Sequence, residues 1–126
     1  MKERAKIDVE LGESTMKPIV RYEGDLELNR DGPFPANVFL SRRDAHSASV
    51  KKGTLEKGKK IEVHAHNESD QLEYYTEGEA LMFVEGLGEI EIRKGSFTYI
   101  PKGTKHGILN VSESLTLLTV FVPSLF

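Results

Sequence analysis

The chain has 126 residues, 38% of them hydrophobic, with four histidines, no cysteine and a formal net charge of −3. That length suits one domain of roughly 100–200 residues, and the apolar fraction excludes a disordered chain. Without thiols there are no disulfides, zinc–cysteine sites, iron–sulfur clusters or cysteine nucleophile. Mild acidity argues against nucleic-acid binding, and no apolar run approaches the about 18 residues of a membrane span. The opening MKERAKIDVE is charged and has no apolar stretch. No secretory signal is expected, and a cytoplasmic location is the default.

Residues 1–35 read as an N-terminal arm. Within it Ile7, Val9 and Leu11 alternate, as do Leu26 and Leu28. That period fits edge strands that pair within one barrel or swap across a dimer. Residues 31–35, DGPFP, form a loop. From 36 to 126, short apolar runs of period two are broken by Gly, Pro and Asn. Strands are expected at 38–40, 47–55, 61–66, 71–76, 80–84, 89–93, 96–100, 106–110 and 115–122. Gly78 marks a turn between the fourth and fifth of these, and Gly86 with Gly88 makes a hairpin. The last run is apolar on both faces, as in a central, buried strand. No helical period follows residue 35. The chain is therefore all-β, a sandwich or barrel.

The histidines carry the chemistry. His64 and His66 stand at i and i+2 of one expected strand, which puts both imidazoles on one face. Such a pair can chelate one metal ion, and alone it fits a polar strand end equally well. The context is more specific. Gly58, His64, His66, Gln71 and Gly78 fall within GKKIEVHAHNESDQLEYYTEG. Gly95, Pro101, Gly103, His106 and Asn110 fall within GSFTYIPKGTKHGILN. Together these stretches resemble the two signature motifs of the cupin superfamily, G-x5-H-x-H-x(3,4)-E-x6-G and G-x5-P-x-G-x2-H-x3-N.

The resemblance implies a small single-domain, metal-binding member with a double-stranded β-helix, a jelly-roll β-barrel. It implies metal ligands at His64, His66, Gln71 and His106, around one divalent ion. Imidazole suits zinc, copper, iron, nickel and cobalt, and an amide oxygen with open positions also admits manganese. Pro101 fixes φ and Gly103 permits a tight turn, so the strand bearing His106 starts in a defined register.

One position departs from the family pattern. Gln71 stands where the family usually has Glu. Gln is neutral, so the full divalent charge is left for an anionic ligand and a stronger Lewis acid results. Alternatively Glu68, Asp70 or Glu73 supplies the fourth ligand oxygen. Glu73 shares the face of Gln71 and so points inward, where a carboxylate is costly unless paired or metal-bound. It is the candidate catalytic residue, a general base, with a ligand role or a place at a wet barrel mouth as the alternatives.

Tyr75 and Tyr99 read as core aromatics. His46 reads as a loop histidine. Arg42 and Arg43, and Lys57, Lys59 and Lys60, read as solvated charge.

Two functions of different class follow. One is a metalloenzyme acting on a small, oxygen-rich, anionic substrate, carboxylate or sugar-acid-like, by isomerase, lyase or decarboxylase chemistry, or by dioxygenation with ferrous iron. The other is a cupin that binds or senses a small ligand without turnover. A homodimer is expected.

Overall fold

The computed structural model describes residues 17–126. The alternation of Ile7, Val9 and Leu11 lies outside the described residues. Among the described residues a single 3-10 turn, Glu23–Asp25, precedes eight strands. They are β1 (Leu28–Asn29), β2 (Ala36–Leu40), β3 (Ser49–Leu55), β4 (Ile61–His64), β5 (Asp70–Val84), β6 (Gly88–Arg93), β7 (Phe97–Ile100) and β8 (His106–Val122). Every pairing is antiparallel.

Two long strands organise the barrel. β5 pairs with β8 along nearly its whole length. The first half of β5 also pairs with β7, and its second half with β6. The second half of β8 pairs with β3, and its start with β4. One sheet half is therefore β1-β2-β3-β8-β5-β7 and the other β4-β8-β5-β6, with β5 and β8 crossing between them. This is the expected jelly roll. The expected edge strand around Leu28 is the two-residue β1, which pairs with β2.

The expected turn at Gly78 is a bend within β5. Gln71, Glu73 and Tyr75 are buried before it, and Ala80, Met82 and Val84 after it. The inward face thus changes from odd to even residues, and the pairing with β8 shifts register between Tyr75 and Ala80. The reason is the bulge: extra residues flip the alternation, which in a sequence resembles a strand break. β8 does the same. His106 and Ile108 are buried at its start, and Leu115, Leu117, Thr119 and Phe121 near its end.

The core lies between the halves and centres on Tyr75 and Leu115, both fully buried, with Met82 and Val111. Phe34, from the DGPFP loop, joins it. The last residues fold back over the barrel end. Leu125 N–H donates to Ser49 Oγ at 3.0 Å. Arg42 N–H donates to the Phe126 carbonyl at 2.6 Å, and Arg42 Nη2 to the Leu125 carbonyl at 3.0 Å.

Candidate metal centre

Three segments bring the imidazoles together. β4 ends at His64, and His66 follows it in the loop rather than on the strand. His106 opens β8 directly opposite His64 in the ladder. The two loops are tied to each other. Gly103 N–H donates to the His66 carbonyl at 2.7 Å, and Lys102 N–H donates to Asp70 Oδ1 at 2.9 Å. These bonds hold the Pro101–Gly103 turn against the segment that carries His66.

One ring nitrogen from each of His64, His66 and His106 lies within 4.8 Å of the other two. His64 Nδ1 sits 2.7 Å from the Glu62 carbonyl, and His106 Nδ1 sits 2.9 Å from the Thr104 carbonyl. A backbone carbonyl only accepts, so each Nδ1 carries the proton. Each Nε2 is left with its lone pair facing inward. His64 Nε2 is 3.2 Å from His66 Nε2, and His106 Nε2 is 3.2 Å from Gln71 Oε1. Ligands held at about 2.1 Å from one ion stand about 3.0–3.4 Å apart. The donor set therefore fits a divalent cation. Burial, with His64, His106 and Lys51 nearby, pushes the His66 imidazole down to about 4, and burial lowers His106 as well. Both are neutral at pH 7, the state a ligand requires.

The candidates for a fourth ligand separate cleanly. Gln71 is buried beside His106. Asp70 is engaged by Lys102 N–H and by the Tyr99 hydroxyl, at 3.2 Å, and does not line the cavity. Glu68 is exposed and lies outside it too. Glu73 is buried on the inward face of β5 and lines the cavity with Gln71. The Tyr75 hydroxyl donates to its Oε1 at 2.5 Å and the Thr119 hydroxyl to its Oε2 at 3.1 Å. Burial pushes the Glu73 carboxyl up, opposed by those two hydroxyls, by Gln71 and by Lys51. Desolvation dominates because the donors are neutral and the cavity walls are apolar.

The cavity measures about 400 Å³ and takes in all three histidines, Gln71 and Glu73. Tyr75 lies behind it in the core, as expected. Tyr99 is exposed on the outer sheet face rather than in the core, because it sits one residue from the buried Ile100. His46 is exposed, as are Arg42 and Arg43 and Lys57, Lys59 and Lys60. Three polar residues of the cavity lining escaped the sequence reading: Glu62, which is exposed, and the inward-facing Lys51 and Thr119. Strand parity was the available signal. An inward Leu55 puts Lys51 on the same face of β3, and an inward Leu117 does the same for Thr119 on β8.

A flattened antiparallel barrel with imidazoles converging inside one end defines a small jelly-roll domain with a built three-histidine cluster. The chain belongs to the cupin family: the profile of the Cupin domain matches residues 52–122, more than half its length. Three solved structures are similar in fold. Ectoine synthase from P. lautus superposes with a TM-score of 0.74 at 20% identity, over 86% of this chain and 80% of that one. KdgF from Halomonas sp. gives 0.76 at 15% identity, over 86% and 96%. An RmlC-like cupin from Shewanella frigidimarina gives 0.73 at 22%, over 87% and 95%. A search of curated protein sequences finds no significant match.

Proposed function

We propose that this cupin is a divalent-metal-dependent enzyme that acts on a small, oxygen-rich anion by isomerase, lyase or decarboxylase chemistry. The observation that carries the reading is the pairing of a convergent donor set with a buried, doubly hydrogen-bonded carboxylate in one cavity. His64, His66, His106 and Gln71 would hold the ion. A bound divalent ion there supplies Lewis-acid polarisation of a substrate oxygen.

The protein's own part is proton handling. Glu73 Oε1 and Oε2 are fixed by the Tyr75 and Thr119 hydroxyls, so the carboxylate cannot swing away from the substrate. Its raised affinity for a proton brings it nearer to neutral pH, where a general base works best. The cavity wall around it is largely apolar. The neutral Gln71 leaves the site net positive, which favours an anionic substrate. The active form is taken as a homodimer, supported by exposed Tyr74, Phe97, Tyr99 and Val122 on one outer sheet face.

The test starts with elemental analysis of tag-free protein purified without added metal. About one equivalent of manganese, iron, nickel, cobalt or zinc is expected, and its loss in His106→Ala. Protein that neither carries a metal nor takes one up overturns the reading. A panel of 2-oxo acids in D₂O, followed by proton NMR, then reads exchange beside the carbonyl. Glu73→Gln should keep the metal and slow exchange by about 10²–10⁴-fold. Undiminished exchange in that variant removes Glu73 as the base.

A further inference from the structure

The mechanism leaves two charged residues of the cavity lining unused, the exposed Glu62 and the half-buried Lys51. Lys51 sits on β3 with Ser49, Gly53 and Leu55 on its inward face. Its Nζ lies 4.9 Å from the ring centre of Phe34 and 5.3 Å from that of Phe126. Among the described residues no carboxylate lies within 4.0 Å of it. Among the described residues it is the only Lys or Arg that lines the cavity. Burial lowers its basicity, and the Glu73 charge works the other way. A half-buried ammonium held between two aromatic rings has lost water and gained only weak partners. Such a group is poised for an anion that arrives with a ligand.

The walls say what else that ligand carries. Phe34, Leu55, Met82, Leu115, Leu117 and Phe121 line the same cavity as Lys51 and the histidine cluster. A polyhydroxylated acid would bury hydroxyls against them with few partners, and each unpaired hydroxyl weakens binding. A single ammonium with no second cation matches a monoanion better than a phosphate dianion.

We infer that Lys51 is a specificity residue, which pairs with the carboxylate of a substrate whose body is hydrocarbon or aromatic rather than a sugar acid. This rests on the proposed function for the chelated end of the substrate, and it confines the oxygen-rich chemistry to the two ends of the molecule. Lys51 fixes the other end and the direction in which the molecule enters. The apolar walls select its body.

Calorimetric titration tests this with three probes: 3-phenylpropionate, 3-phenylpropionamide and gluconate. Each is run on zinc-loaded protein and on protein stripped with a chelator. Wild type should bind 3-phenylpropionate at least about 10-fold tighter than its amide, and tighter than gluconate by a similar factor. Lys51→Met should lose the preference for acid over amide, and Lys51→Arg should keep part of it. The preference should persist without metal, so a failed metal reading does not masquerade as a failed Lys51. Lys51→Met should melt no lower than wild type, because it removes a buried charge; Lys51→Gln serves if it does not fold. An acid-over-amide preference unchanged in the neutral variant overturns the assignment. So does gluconate bound as tightly as 3-phenylpropionate, or a wild type that binds none of the three.

Discussion

Replacing Gly78 by alanine should damage this protein far more than the same change at Gly86. Both glycines have positive φ, 95° and 92°. At Gly86 an added Cβ meets nothing within 4 Å. At Gly78 it would lie 2.1 Å from the Ser114 carbonyl oxygen and 2.7 Å from Leu115 Cα, both backbone atoms of β8. The conformational cost of the left-handed region is about 1–2 kcal/mol and is common to the two sites. Gly78→Ala must also part β5 from β8 by about 1 Å, an overpacking cost of about 1–3 kcal/mol. The sum is roughly 2–5 kcal/mol, against about 1–2 at Gly86. At about 4 °C for each kcal/mol in a chain of this length, the melting temperature should fall roughly 8–20 °C and 4–8 °C respectively. Differential scanning calorimetry of the two variants beside wild type reads this directly. Equal losses would show that the close approach of β5 and β8 at Ser114 is not a constraint, and the explanation of the bend would fail.

Two other perturbations probe the polar network and the ion pair. Tyr75→Phe deletes the hydroxyl that donates to Glu73, and urea denaturation should show a loss of about 1.5–3 kcal/mol. In the double variant with Glu73→Gln the two costs should fail to add, by about 0.5 kcal/mol or more; strict additivity would deny the coupling. Arg21 holds Asp44 by two bonds, 3.0 and 2.9 Å, and with the Ser41 amide keeps its carboxyl below the usual value. A depressed carboxylate adds stability above its unfolded value of about 3.9, and that stability is lost as pH falls through the folded value. Asp44→Asn should therefore melt below wild type at pH 7, and the gap should close as pH falls below the unfolded value of about 3.9 and on through the folded one. A gap that persists in acid would mean that the carboxylate charge is not what the pair contributes.

The site was legible because its residues obey short-range rules. The two histidine motifs fixed which rings meet, and strand parity turned Gln71 and Glu73 inward on one face. Neither rule says which side chains reach the same point from distant strands. Lys51 is 13 residues before His64 in the chain and joins the cavity only because β3 pairs with β8. In SVKKGTL the two lysines are adjacent, so one must face inward, and the stretch itself does not say that the inward one reaches the histidines. Asp70 misled for a related reason. It stands next to Gln71, so it looked like a ligand, but alternation turns it toward Lys102 and Tyr99. The bends at Gly78 and after Asn110 were hidden because a bulge and a turn both interrupt a period of two.

The cavity takes its lining from 33–34, from 51–82 and from 106–126, and nothing from 83–105. The stretch that makes β6 and β7 is therefore architecture without chemistry. Its tip, Glu85–Gly88, projects Leu87 into solvent, and neither glycine there has a neighbour to displace. Exposed hairpin tips of this kind accept inserted sequence. A reporter domain or an immobilising tether grafted between Gly86 and Gly88 would lie outside the cavity lining, provided the two Glu85–Lys105 hydrogen bonds next to His106 are kept. The barrel thereby offers a port through which it can be wired to a surface or a second catalyst.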